Sequence, residues 1–199
     1  VGYGVLSNST TASDNTAMGL SAGGAVTTGA RNTLIGRSVA EALTTGSDNI
    51  YIGYVAGVSA TTGNYNTAIG REAFRTQSTA SYNTGLGYRV GYANTTGQNN
   101  VFVGYAAGDN NTTGSFNTFL GTLAGDANTE GASNVVVGYA AFDANTTGNN
   151  NTVVGTYTLT DNTTGTANTA IGRQAGGSNT TGQYSTLIGY QAGYSQTTL

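Results

Sequence analysis

The stretch Asn111–Ala127 reads NTTGSFNTFLGTLAGDA, and Asn128–Ala144 reads NTEGASNVVVGYAAFDA. The second begins the first again, with the same Asn-Thr-x-Gly opening and the same aliphatic-Gly pair after an interval of 17 residues. Extending that interval in both directions places glycine at 2, 19, 36, 53, 70, 87, 104, 121, 138, 155, 172 and 189, twelve positions without an insertion or deletion. Residues 1–199 are therefore one uninterrupted array.

Each column of the array carries its own chemistry. The residue before the repeat glycine is always aliphatic (Val1, Met18, Ile35 and so on to Ile188), so this column is expected to be buried. Three residues before the glycine stands Thr, Val or Ile, and one residue earlier stands Asn, with Ser185 the exception. Three residues after it comes a small column in which Ala predominates. A Thr-Thr-Gly stretch recurs with lapses at Ala12, Ser78, Ala80, Glu130 and Leu199, and its glycine suits a turn.

Seventeen residues cannot hold two packed helices, and Gly, Thr and Asn are poor helix formers. The chain reads as all-β, a parallel β-solenoid or β-roll of about 12 rungs in which each unit pairs with the next at about 4.8 Å. Its length would be roughly 55 Å. One lost residue would turn every side chain of its rung to the opposite face, which explains the strict period. A buried Asn in every rung reads as an amide ladder running along the axis.

The residue two before the glycine is also mostly apolar: Leu34, Tyr51, Phe102, Phe119, Val136, Val153 and Leu187, with Gly85 as a gap. Successive side chains of a strand face opposite ways, so both faces need shelter. One face fills the rung, and these seven residues are expected to meet another copy of the chain. Leaving each large one in water would forgo about 1.5–3 kcal/mol. A parallel homotrimer satisfies the pattern with identical rungs at identical height.

Composition excludes several functions. Cys, His, Lys, Pro and Trp are absent, which removes the thiolate and imidazole chemistry of zinc sites and of most acid–base catalysis. No enzyme and no cofactor is expected. Six Arg against nine acidic residues give a net charge of −3, with no basic patch for nucleic acid, and no apolar run approaches a membrane span. Asp109, Asp126 and Asp143 share one column and are weak candidates for a cation such as Ca²⁺, against the plainer reading of a solvated turn. Tyr54, Tyr88, Tyr105 and Tyr139 follow repeat glycines and could face a sugar. Arg37, Tyr54, Arg71 and Tyr88 alternate along that column, which favours a self-packed cation–π ladder.

The unit SNTTGQYSTLIGYQAG (Ser178–Gly193), with NTAIGRQAG at 168–176 and NTAIGREAF at 66–74, resembles the head repeats of trimeric autotransporter adhesins. Such 17-residue Asn-Thr-Thr-Gly arrays also resemble segments of phage tail fibres. The resemblance implies a left-handed parallel β-roll of three chains forming a rod on a cell surface or virion. The adhesin unit is shorter, so the extra residues around Thr-Thr-Gly make a larger outer turn here, and the adhesins' ligands do not carry over. The expected role is a rigid shaft or head of an extracellular or virion fibre involved in attachment. A carbohydrate- or receptor-binding module is the alternative, with an ice-binding solenoid behind it. Neither end of the array reads as a cap, so a segment of a longer fibre, or end-to-end stacking into a filament, is expected.

Overall fold

The computed structural model describes residues 1–198, and Leu199 lies outside them. It is a parallel β-solenoid with a 17-residue rung and no helix among the described residues. Eleven three-residue strands recur at that interval, from β1 (Thr16–Met18) and β2 (Thr33–Ile35) through β7 (Thr118–Leu120) and β8 (Val135–Val137) to β10 (Thr169–Ile171) and β11 (Thr186–Ile188). They form one sheet in sequence order, each strand parallel to the next and without register slip, so that Thr118, Phe119 and Leu120 pair with Val135, Val136 and Val137. The count is eleven where twelve units suggested about 12. The strand columns precede the glycine, and of those positions the Gly2 unit contains only Val1.

The rest of each rung has no strand but is tied to its neighbours just as regularly. The amides of Gly23, Ala25 and Thr27 donate to the carbonyls of Val39, Glu41 and Thr44 one rung on. Eleven hydroxyls, from Thr10 to Thr180 with Ser78 among them, each donate to the carbonyl 17 residues later, at 3.0–3.2 Å. These are the first residues of the Thr-Thr pairs. The second, such as Thr28, Thr45 and Thr62, point into solvent.

The asparagine column is the polar spine of the interior. Asn49 is fully buried; its Nδ2 donates to Asn32 Oδ1 at 3.1 Å and to the Gly63 carbonyl at 2.9 Å. Its Oδ1 accepts the Asn66 amide at 2.9 Å. The bond from Nδ2 to the carbonyl 14 residues on and the bond to Oδ1 from the amide one rung later repeat along the rod, ending on the Ser185 amide, which donates to Asn168 Oδ1. A second ladder occupies another corner, where Asn111, Asn128 and Asn145 each donate to the Asn one rung before. In earlier rungs that corner is filled by Val26, Leu43 and Ala60, all buried. The first ladder thus partners polar atoms withdrawn from water. The second stops at Asn145: Asn162 Nδ2 and Oδ1, Asn179 Nδ2 and, in the same column, Gln77 Oε1 are buried without a partner among the described residues.

The repeat glycines sit at φ +126° to +149°, and a Cβ on Gly53 would collide with the Gly70 carbonyl oxygen of the next rung. This column admits only glycine.

Candidate functional site

Two neighbouring columns of the sheet decide which surface is free. The middle residue of each strand points into the lumen: Leu34, Tyr51, Phe102, Phe119, Val136 and Val153 are 0% exposed in a single chain, and Leu187 packs against the same core. This corrects the expectation that these seven meet another copy, because the rung itself encloses them. The column before the glycine faces outward instead. Leu86 is 50% exposed, Leu120 46% and Ile188 65%, so the column expected to be buried is the one left in water. The hydrophobic alternation was correct in period and reversed in face.

The lumen packs as a set of complementary sizes, governed by the middle strand residue and the residue four after the repeat glycine. Tyr51 is matched by Gly57 and Phe119 by Gly125, and a Cβ on either glycine would meet the partner's ring. Small Ala68 is matched by buried Phe74. Gly85 and Gly91 leave one rung without either side chain, and Phe74 and Phe102 fill it from the rungs on both sides, with ring centroids 6.0 Å apart. The apparent gap at Gly85 is therefore a close-packed contact. Phe102 stacks in turn on Phe119 at 5.0 Å.

The aromatic column after the repeat glycine is a ladder. Arg71 lies 5.7 Å from the Tyr54 ring centre and 5.6 Å from that of Tyr88, while Arg37 lies 5.9 Å from Tyr54. Tyr88 stacks on Tyr105 at 5.4 Å, and Tyr139 meets Tyr157 edge-on at 5.3 Å. All four candidate tyrosines thus lie on this outer surface and pack their rings on arginine or on another tyrosine, Tyr139 on Tyr157.

Asp109 is paired, accepting from Arg89 Nε and Nη2 at 3.2 and 2.8 Å. The cation beside the acidic column is thus a guanidinium, and Arg89 also lies 4.4 Å from the Tyr92 ring centre. Among the described residues no group of three acidic side chains is placed to hold a metal, so Asp109, Asp126 and Asp143 do not form the suggested cation site. Asp126 is pushed up from 3.8 to about 6 by burial first and then by the Asp109 and Asp143 carboxylates, with Arg89 acting the other way. Asp143 is raised by burial, against a hydrogen bond with Thr160. A raised carboxyl favours the protonated fold. The stability Asp126 contributes is therefore complete below its unfolded value and is lost as pH rises through about 6.

Elsewhere on the surface, Arg31 and Asp48 form an exposed bidentate pair, and Tyr65 stacks on Tyr82 at 5.1 Å. Clefts also indent the side of the rod among the described residues. One, of about 600 Å³, has Tyr3 and Glu41 in its lining; another, of about 300 Å³, includes Tyr157, Asp161 and Tyr194. Neither was anticipated from the sequence. Both fall in the column of Asp109, five residues after the repeat glycine, where it drops to Ser7 and Gly24 or to Thr160 and Gly177.

No family model, curated protein or solved structure matches this chain.

Proposed function

We propose that this chain is a rigid structural element of an extracellular or virion fibre, a shaft or head segment that several copies build together and that serves surface attachment. The observation that carries this reading is the outward aliphatic column from Met18 to Ile188 on a rod that is otherwise complete. At about 4.8 Å per rung it is a continuous apolar stripe about 50 Å long, of the kind that marks an interface in soluble proteins. Its occupant is a second and third copy of the same chain, because only an identical 17-residue period keeps aliphatic against aliphatic over eleven rungs. The function is mechanical: hydrogen-bonded rungs resist local opening, and the rod holds whatever it carries away from the surface. No catalytic step is assigned.

Sedimentation of the wild type and of Leu120→Asp combined with Val137→Asp tests this. Parallel association requires an oligomeric wild type and a folded monomeric variant. A wild type that sediments as a monomer refutes it.

A second reading, ice binding, is favoured by one observation. The strand threonines, among them Thr33, Thr67 and Thr118, form an outward rank beside the aliphatic one, and their hydroxyls make no hydrogen bond among the described residues. The aliphatic rank weighs against it, since Met18, Leu86 and Leu120 stand longer than Val103, Val137 and Val154 and break a flat plane. Thermal hysteresis from the monomeric wild type, lost in Thr67→Leu with Thr118→Leu, would favour ice over self-association.

A further inference from the structure

We propose that the cleft between Tyr157 and Tyr194 binds a neutral saccharide, one hexose unit of a glycan lying against the side of the rod. The site departs from the repeat. Five residues after the glycine the column carries Arg75, Tyr92, Asp109, Asp126 and Asp143 in consecutive rungs, then falls to Thr160 and Gly177 before Tyr194 restores a large side chain. One short and one missing side chain in successive rungs open a cleft of about 300 Å³, with Tyr157 and Tyr194 contributing aromatic walls. That volume lies at the small end of ligand clefts, about 300–1,000 Å³, and admits a single ring.

The lining has the chemistry of a sugar site. Tyr157 and Tyr194 are 38% and 40% exposed; Tyr157 meets Tyr139 edge-on, and among the described residues no other aromatic ring or guanidinium packs on Tyr194. The Tyr194 ring rests on Gly177, where a Cβ would come within 2.6 Å of Cε2. Glycine thus sets that wall close to the rod. Asp161 offers a carboxylate with no hydrogen bond or ion pair among the described residues. Gln174 spends its Oε1 on Gln191 Nε2 at 3.1 Å, and its Nε2 donates to nothing among the described residues. Thr160 Oγ1 lies 3.1 Å from the Ala140 carbonyl and beside the Asp143 carboxyl, so its hydroxyl is already engaged by the rod and adds no free donor to the cleft. A pyranose offers a C–H face to tyrosine and hydroxyls that both accept from Gln174 and donate to Asp161. The Asp161 carboxylate in the lining disfavours an acidic sugar.

The inference stands whether or not the chains associate. It is tested by saturation-transfer NMR on the full chain, with methyl α-D-glucopyranoside, -galactopyranoside and -mannopyranoside as probes and choline as the cationic control. Expected is saturation transfer to at least one glycoside, with dissociation in the millimolar range. Tyr194→Ala and Asp161→Asn should each lower affinity by about 10-fold or more. Tyr54→Ala should leave it unchanged. Gln174→Ala, on a half-buried side chain whose Nε2 donates to nothing among the described residues, should weaken binding while leaving the melt unchanged, which separates lost binding from lost folding. Absence of transfer to all three glycosides, binding of choline alone, or wild-type affinity in Tyr157→Ala with Tyr194→Ala overturns it.

Discussion

Phe119 and Leu120 are neighbours in one three-residue strand, and they live in different solvents. Phe119 is wholly inside the rung and stacked on Phe102, whereas Leu120 is 46% exposed on the outer face. Either residue alone reads as core. The difference between them shows that a solenoid this thin has one enclosed face, and that an apolar residue on its other face is a statement about neighbours, not about the core.

The sharpest way to break this comparison is to charge each column in turn. Phe119→Asp buries a carboxylate in the lumen and should cost more than about 4 kcal/mol, enough to abolish the cooperative melt. Leu120→Asp should leave circular dichroism and melting of the isolated rod nearly unchanged. Equal damage from the two would mean that the inside and outside have been misassigned.

The next effect belongs to the polar spine. Asn117→Ala removes the acceptor for the Asn134 amide (3.0 Å), which is left without a partner, and one of the two donors to the Gly131 carbonyl (2.8 Å), which keeps only Asn128 Nδ2. A loss of about 2–4 kcal/mol is expected in denaturant titration. A smaller loss follows from overpacking. In Gly85→Ala the new methyl would lie 2.6 Å from Phe74 Cε2, so a cost of about 1–3 kcal/mol is expected, partly relieved by Phe74→Leu in a double-mutant cycle. Additive changes would show that the two do not share one space.

The smallest effect is electrostatic and depends on pH. Asp126→Asn should raise the melting temperature at about pH 8 by the equivalent of roughly 1 kcal/mol, after allowance for solvent screening of a half-exposed group, and change little near about pH 3.5. A gain at acid pH instead would contradict the raised Asp126 carboxyl.

The period, the parallel stacking, the asparagine ladder and the Arg–Tyr alternation were all legible in the sequence, because each repeats in every rung or nearly so and the physics of stacking acts on the repeat. Facing was not legible. Phe119 and Leu120 carry the same hydrophobic signal, and the deciding feature is a turn with no sequence mark. The residue before each ladder asparagine adopts a left-handed conformation whether it is Asp48, Tyr65 or Phe116, with φ 61°, 58° and 62°. Asparagine and aspartate favour that conformation, tyrosine and phenylalanine do not. The stack imposes it. The Gly85 gap was misleading for a related reason: its space is filled by side chains from the neighbouring rungs, which a column-by-column reading does not connect. The cleft at Tyr157 and Tyr194 lies where the repeat lapses, so a search for regularity passes over it.

The stacking of one 17-residue unit directly on the next is tested most directly by distances between spin labels. The chain has no cysteine, so labels can be placed at will on exposed threonines of a single column, diluted with unlabelled protein. Thr45→Cys paired in turn with Thr113→Cys, Thr147→Cys and Thr181→Cys spans four, six and eight rungs, and electron–electron resonance should give about 19, 29 and 38 Å, rising by about 5 Å per rung. Distances that do not increase linearly with rung number would contradict the solenoid and all that is built on it.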